Sequence, residues 1–425
     1  MLVRCLALVA ASRAPLGEGV ILLDAAGNIA AGRGLSLSDT LLSAKADTPP
    51  ILRRTLAQWS EVGGVWGVVP PGKPTAFLPP LYPLFLSVFV RLPAGLWVAR
   101  CAGVLIGSAT ATLAYATARR WSPASSLVVA VLAVFDPLAA FQSAEISTHC
   151  LAAFTALLPV WILSRAGGSL RAALLAGVGC GIAFLARPTA WLLVPLLGCA
   201  AWKQGGTRHV IVLTAGAILA VSPWVARNTA SLGRPLLFTT NGGRNLWEFN
   251  NQKMGPEYLW SEPAPSRVLY DPIRRRHESS VRRADLLPFP SFTTEPEWIR
   301  DRLLTARFMG FAQANPLIYA DLVGVRITQM LSPWPLHAPT PVRLASALFY
   351  IPLLVLACIG AWRAASFPGL PQAIAIFVML FLGLHALTAA GFVYRGMIAP
   401  FLALLAGQAL AGLAPWPVAR ATTTS

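Results

Sequence analysis

A few charged side chains sit where an apolar chain has least reason to keep them. Arg100, Arg187, Arg227 and Arg395 fall at the ends of long apolar stretches, and Lys73 lies in the first polar segment. A charge at membrane depth costs about 2.5–3.5 kcal/mol on insertion scales, so a group of them needs a reason. One such arginine alone snorkels to ordinary lipid phosphates. The set favours a binding site for an anionic headgroup such as phosphate, whose oxygens match the planar guanidinium fork. Acids are scarcer, 17 Asp and Glu against 34 Lys and Arg, so each one outside the basic loops counts. Glu18, Asp24, Asp39, Asp47 and Glu61 lie in the first polar segment, and Asp136 and Glu145, with His149, lie between apolar stretches. Glu145 and His149 are one helical turn apart. They read either as a mutually satisfied polar pair or as part of a site. The run Arg274, Arg275, Arg276, Arg282 and Arg283 reads as a solvated loop. No close acidic pair or His cluster offers metal ligands, so neither metal nor cofactor is expected. The six cysteines, Cys5, Cys101, Cys150, Cys180, Cys199 and Cys358, lie in or beside apolar segments, with no zinc spacing. They read as buried packing residues.

The elements that must position these groups are membrane helices. The chain is 56% hydrophobic and only 12% charged, half the charged share of a soluble domain, about 25%. Apolar stretches of about 16–22 residues fit spanning helices, and they lack the alternation of barrel strands. The expected fold is all-α integral membrane with about ten transmembrane helices. Nine are clear, at about 96–117, 124–141, 149–164, 169–186, 188–203, 208–226, 344–363, 371–391 and 395–414. The tenth is the apolar N-terminus, residues 1–12, too short to cross alone, so the chain is expected to begin inside a first membrane helix. Arg119, Arg120, Arg165, Arg171, Lys203, Arg208, Arg363 and Arg420 then share one side, which the positive-inside rule makes cytoplasmic. Both termini face that side. This also accounts for the net charge of +17 without nucleic acid, for which no basic helix or aromatic platform appears. Two large extracytoplasmic loops remain, about 13–95 and 227–343, dividing the chain into 1–226, 227–343 and 344–425. Residues 295–313 carry apolar positions at helical spacing and predict a juxtamembrane amphipathic helix. No inverted repeat of the transporter kind is visible.

Several stretches together resemble the bacterial membrane glycosyltransferases of the C superfamily. They resemble most the family 39 enzymes related to protein O-mannosyltransferases and to the transferase that places aminoarabinose on lipid A. In chain order these are NIAAGRGLS at 28–36, FLPPLYPLFL at 77–86 with Tyr82, LARPTAWLLVP at 185–195, SPWVARN at 222–228, TTNGGRNLWEFNN at 239–251, the helix pair of 295–334, and VYRGMIAPFLALLAG at 393–407. The Trp-x-x-Arg-Asn helix end followed by Asn-Gly-Gly-x-Asn-Leu-Trp is the most specific.

The resemblance implies an enzyme of the bacterial inner membrane with its active site facing the periplasm. Its donor would be a polyprenyl-phosphate sugar and its product inverted, with no nucleotide-sugar site. The acceptor (lipid, glycan or protein) is left open. Counting back about fourteen residues from Gly32 places the family's catalytic acid at Glu18, where the second acid of the usual pair is Gly19 and the expected Tyr is Leu22. Asp24 is the alternative base. The donor phosphate would meet Arg187, Arg227, Arg395 and Lys73, the last displaced from the family's place directly before the Pro-Pro pair. Tyr82, Glu145, His149, Asn241 and Asn245 would line the substrate side, the asparagines flanking a Gly242-Gly243 turn. Two rivals stand beside this reading: an inactive relative that binds lipid-linked sugar, and a multi-pass transporter.

Overall fold

The computed structural model describes residues 1–10, 18–38, 72–121, 123–165, 168–248, 250, 295–334, 340–366, 369–388 and 391–411. The basic run at 274–283 and the acids Asp39, Asp47 and Glu61 lie outside these. Among the described residues the chain is helical, with one isolated bridge, Ser36 to Pro74.

The helices are α1 (Leu2–Ala10), α2 (Glu18–Ala30), α3 (Leu81–Ser87), α4 (Gly95–Trp121), α5 (Pro123–Phe135), α6 (Pro137–Ala144), α7 (Thr148–Arg165) and α8 (Leu170–Ala186). A 3-10 turn, Pro188–Leu192, leads into α9 (Leu193–Gly205) and then α10 (Thr207–Leu232). Next come α11 (Gly242–Glu248), α12 (Glu297–Ala314), α13 (Pro316–Leu331), α14 (Thr340–Ala365), α15 (Leu370–Leu387), and, after a 3-10 turn at Phe392–Tyr394, α16 (Arg395–Leu410).

Among the described residues six helices are long and apolar enough to cross a membrane, and α5 with α6 make a seventh if they count as one bent span. This agrees with an all-α membrane fold. The expected spans at 169–186 and 188–203 are shorter than a full crossing: α8 has 17 residues and α9 has 13. The expected span 124–141 is broken by 51° at Asp136. The cause is local. Pro137 offers no N–H and biases Asp136 to extended backbone, and Asp136, at ψ 111°, caps α6 by accepting from the Ala139 amide. Arg4 of α1 then donates to Ala139 O at 2.7 Å and to Ala133 O at 3.0 Å. The Ala133 carbonyl, which Pro137 has no N–H to serve, thereby gains a partner, as lipid requires.

The basic loop residues collect at one end. His209 contacts Gly205 O at 2.7 Å and Gly168 O at 2.5 Å, tying two of these turns together. Arg363 donates to Ala409 O at the end of α16. The opposite end carries α2, α3, the α6–α7 turn, the Arg187 turn and the α12–α13 pair. The amphipathic helix expected at 295–313 is α12, and α13 follows it as the resembled helix pair predicts. Its tie to the rest is Glu297, only 4% exposed. Its carboxylate accepts from Thr75 Oγ1 at 2.7 Å and from the Ala76 amide at 2.6 Å.

Candidate active site

The site is built at the end of the bundle away from the basic loops. Glu18 opens α2 and is exposed. It is nevertheless crowded by protein, so its pKa is raised by desolvation, with the Arg187 charge opposing. Among the described residues Arg187 is the cation whose charge acts on Glu18.

Arg187 ends α8, held extended because Pro188 follows it. Its Nη1 contacts Thr148 Oγ1 at 3.4 Å. The face of Tyr394 covers its guanidinium, 4.7 Å from carbon to ring centroid, a cation–π distance. Tyr394 also meets His149 edge-on at 5.9 Å and His385 at 4.8 Å. His385 Nδ1 lies 2.8 Å from Phe381 O, so that nitrogen carries the proton. Tyr82, buried on α3, accepts from the Ser147 amide at 3.0 Å. Its phenol pKa is raised, by burial first, with Glu18 and Glu145 among the charges adding to it. The charges of both carboxylates thus act on one phenol.

Five predicted residues thus come together: Glu18, Tyr82, Glu145, His149 and Arg187. One relation differs from expectation. Glu145 and His149 do not share a helix face, because α7 begins only at Thr148 and Glu145 ends α6 with extended backbone. Glu145 lies 3.6 Å from Arg100 Nη2 instead.

The other predicted residues lie elsewhere. Asp24 accepts from the Ser38 amide at 2.8 Å and feels Arg33, so it shapes the turn after α2. Arg227 donates to Thr75 O and Leu35 O, each at 2.8 Å. Arg395 donates to Ser332 O at 2.9 Å and stacks on Tyr350 at 3.8 Å. Both arginines spend donors on backbone carbonyls and fasten loop to helix. Lys73 is exposed on the segment before α3. Asn241 accepts from Thr239 Oγ1 at 2.7 Å, and Asn245 donates its amide to Asn241 O. The turn between them is fixed by Asp301, which accepts from the Gly243 amide at 2.6 Å.

Sequence reasoning missed Tyr394, His385 and Glu297, and left Arg100 unpaired. Tyr394 stood in VYRG, where attention went to its charged neighbour Arg395. Glu297 carries a readable signal, an acid in the first turn of a helix that begins after Pro296.

An apolar groove of about 700 Å³ runs along α8, α9 and α10, and its lining residues Phe184 and Trp191 flank Arg187 in the chain. Phe184 and Phe238 line it near the site, packed at 5.3 Å, and Trp191 marks its rim. Trp202 lies at the far end, beside the basic loops. Among the described residues no group of three His, Cys, Asp or Glu side chains is placed to hold a metal.

Residues 78–226 match the family model described as dolichyl-phosphate-mannose-protein mannosyltransferase. The likeness to the glycosyltransferase C superfamily holds over this stretch. It takes in Tyr82, Arg100, Glu145, His149 and Arg187, under half of the chain but most of the site. A search of the curated proteins finds no match. Solved structures include the Archaeoglobus fulgidus oligosaccharyltransferase tethered with an acceptor peptide, at TM-score 0.49 and 11% identity, covering 96% of this chain and 48% of that one. ArnT from Cupriavidus metallidurans bound to undecaprenyl phosphate gives 0.39 and 12%, covering 96% and 76%. The chain spans about half the length of the oligosaccharyltransferase.

Proposed function

We propose that the chain is a membrane glycosyltransferase. It takes a sugar from a polyprenyl-phosphate donor and transfers it, with inversion, to an acceptor outside the cytoplasm. The observation that carries this is the action of the Arg187 charge on the Glu18 carboxyl, with an apolar groove lined by Phe184 and Trp191, which flank Arg187 in the chain. In this reading Glu18 is the base, Arg187 the phosphate-binding cation, and the groove the path for an isoprenoid tail. The matching family is named for a dolichyl-phosphate sugar, a donor of this chemical class.

In this reading Glu18 accepts the proton of the acceptor hydroxyl. The hydroxyl oxygen forms the new bond at the anomeric carbon as the bond to the phosphate oxygen breaks. Charge then grows on the departing phosphate, and Arg187 meets it with a cation fixed before the reaction begins. The ring of Tyr394 packs over that guanidinium at 4.7 Å. Arg227 and Arg395 have a supporting part, since both spend donors on backbone carbonyls.

The test uses purified full-length protein with labelled polyprenyl-phosphate sugars and membrane extract as acceptor. Wild type is expected to release prenyl phosphate. Glu18→Gln is expected to lose about a hundred- to ten-thousandfold of that rate, the usual worth of general base catalysis. Turnover that survives Glu18→Gln moves the base elsewhere, with Asp24 next. No turnover with any donor favours the inactive relative.

A further inference from the structure

Buried polar groups without partners are rare in native interiors, because each carries an unreturned desolvation cost. Here they gather. Ser147 Oγ, both ring nitrogens of His149, Arg187 Nε and Thr189 Oγ1 are buried with no hydrogen-bond partner among the described residues. His149 is only 7% exposed. The four residues sit on two adjoining segments, the turn into α7 and the turn out of α8. Arg187 Nη1 joins the segments through Thr148 at 3.4 Å, a long contact. Tyr394 packs against both Arg187 and His149.

None of these buried atoms is bonded to another. The set is rich in N–H and O–H donors and carries one permanent positive charge. Its complement is an oxygen-rich anion. The carboxylate of Glu145 lies 3.6 Å from Arg100 Nη2.

We infer that His149, with Ser147 and Thr189, completes the Arg187 site as a phosphate cradle, donating a ring N–H to a phosphate oxygen of the polyprenyl donor. This rests on the proposed glycosyltransferase reading, which supplies the phosphate. A neutral imidazole has one donor and one acceptor nitrogen. The bond to phosphate strengthens as the sugar leaves, so His149 acts on the leaving group.

The experiment measures the thermal unfolding midpoint of the full-length protein in detergent. It is read alone, with a polyprenyl monophosphate, with the matching polyprenol, and with inorganic phosphate. Wild type is expected to shift upward with polyprenyl phosphate and far less with the other two. His149→Phe keeps the ring and removes the unmatched nitrogens. Its ligand-free midpoint is expected to equal or exceed wild type, while the polyprenyl phosphate needed for half the shift rises about tenfold or more, as loss of a bond to a charged group implies. His149→Gln, which restores an N–H donor, is expected to recover part of the affinity.

A lower ligand-free midpoint for His149→Phe with an unchanged ligand response would overturn the inference, because the ring would then be satisfied within the fold. It is overturned equally if Arg187→Gln loses the response and His149→Phe keeps it; the phosphate site then stands without His149. An equal response to inorganic phosphate overturns the lipid as the source. No response in wild type overturns the cradle and the glycosyltransferase reading together.

Discussion

Glu18 is poised by two opposed effects, and Arg187 supplies one of them. Crowding favours the neutral acid and raises its pKa, and the guanidinium favours the carboxylate and lowers it. A base must be deprotonated to work, so activity falls on the acid side through the pKa of Glu18. That limb of kcat/KM is expected above the ordinary glutamate value of about 4.3. Arg187→Gln removes the lowering charge, so the limb of its residual activity must move further to alkaline pH. A pH–rate profile of the two proteins checks this, and a limb that moves acidward would mean that another group is the base. At this scale the sequence was legible where residue type and a family motif coincided. Glu18, Tyr82 and Arg187 were named that way, and the fold gathers them at one end of the bundle. Arg227 and Arg395 had the same type and position as Arg187 at helix ends. What separates them is whether a backbone carbonyl lies within reach of the guanidinium, and only the packing of distant segments decides that. The charge of Arg100 was legible, but its partner Glu145 was not, for the same reason.

Helix pairs set how rigidly the site is held. α8 carries Gly177 and Gly181 four residues apart, and α10 carries Gly216, small residues that let membrane helices approach closely. A Cβ built on Gly177 would stand 1.9 Å from Leu213 O, a backbone atom that cannot swing aside. Gly177→Ala must therefore push α8 from α10, and α8 ends in Arg187. The expected result is a loss of about 1–3 kcal/mol, the usual cost of overpacking, seen as a lower unfolding midpoint with weaker donor binding. Gly310→Ala is the matched control. It lies inside α12 with nothing within 4 Å of the new Cβ, so it is expected to stabilise by up to about 1 kcal/mol through helix propensity. Equal effects from both would mean that α8 and α10 are not in close contact. Most helices were legible because apolar length alone specifies a span. The break at Asp136 was not read, although the Asp-Pro pair that causes it was in plain sight, since an apolar window averages across a single proline. The Glu297 tie was hidden for a different reason: it joins residues 221 positions apart.

The whole molecule separates its charges by end, and this bears on which donor it uses. Arg119, Arg120, Lys203 and Arg363 lie toward one end, while Glu18, Arg187 and Lys73 belong to the other. By the positive-inside rule the first end is expected to be the cytoplasmic one. The topology is tested in a background in which the six native cysteines are replaced by alanine. Single cysteines are then placed at Lys73 and at Lys203, both exposed. In spheroplasts a membrane-impermeant maleimide is expected to label Lys73→Cys and to leave Lys203→Cys unlabelled until the membrane is opened. The reverse pattern would place Glu18 and Arg187 at the cytoplasmic face, where nucleotide sugars are at hand. A lipid-linked donor would then have no advantage. The apolar groove beside Arg187 would lose its connection to the chemistry, and the case for a polyprenyl-phosphate donor would fall with it.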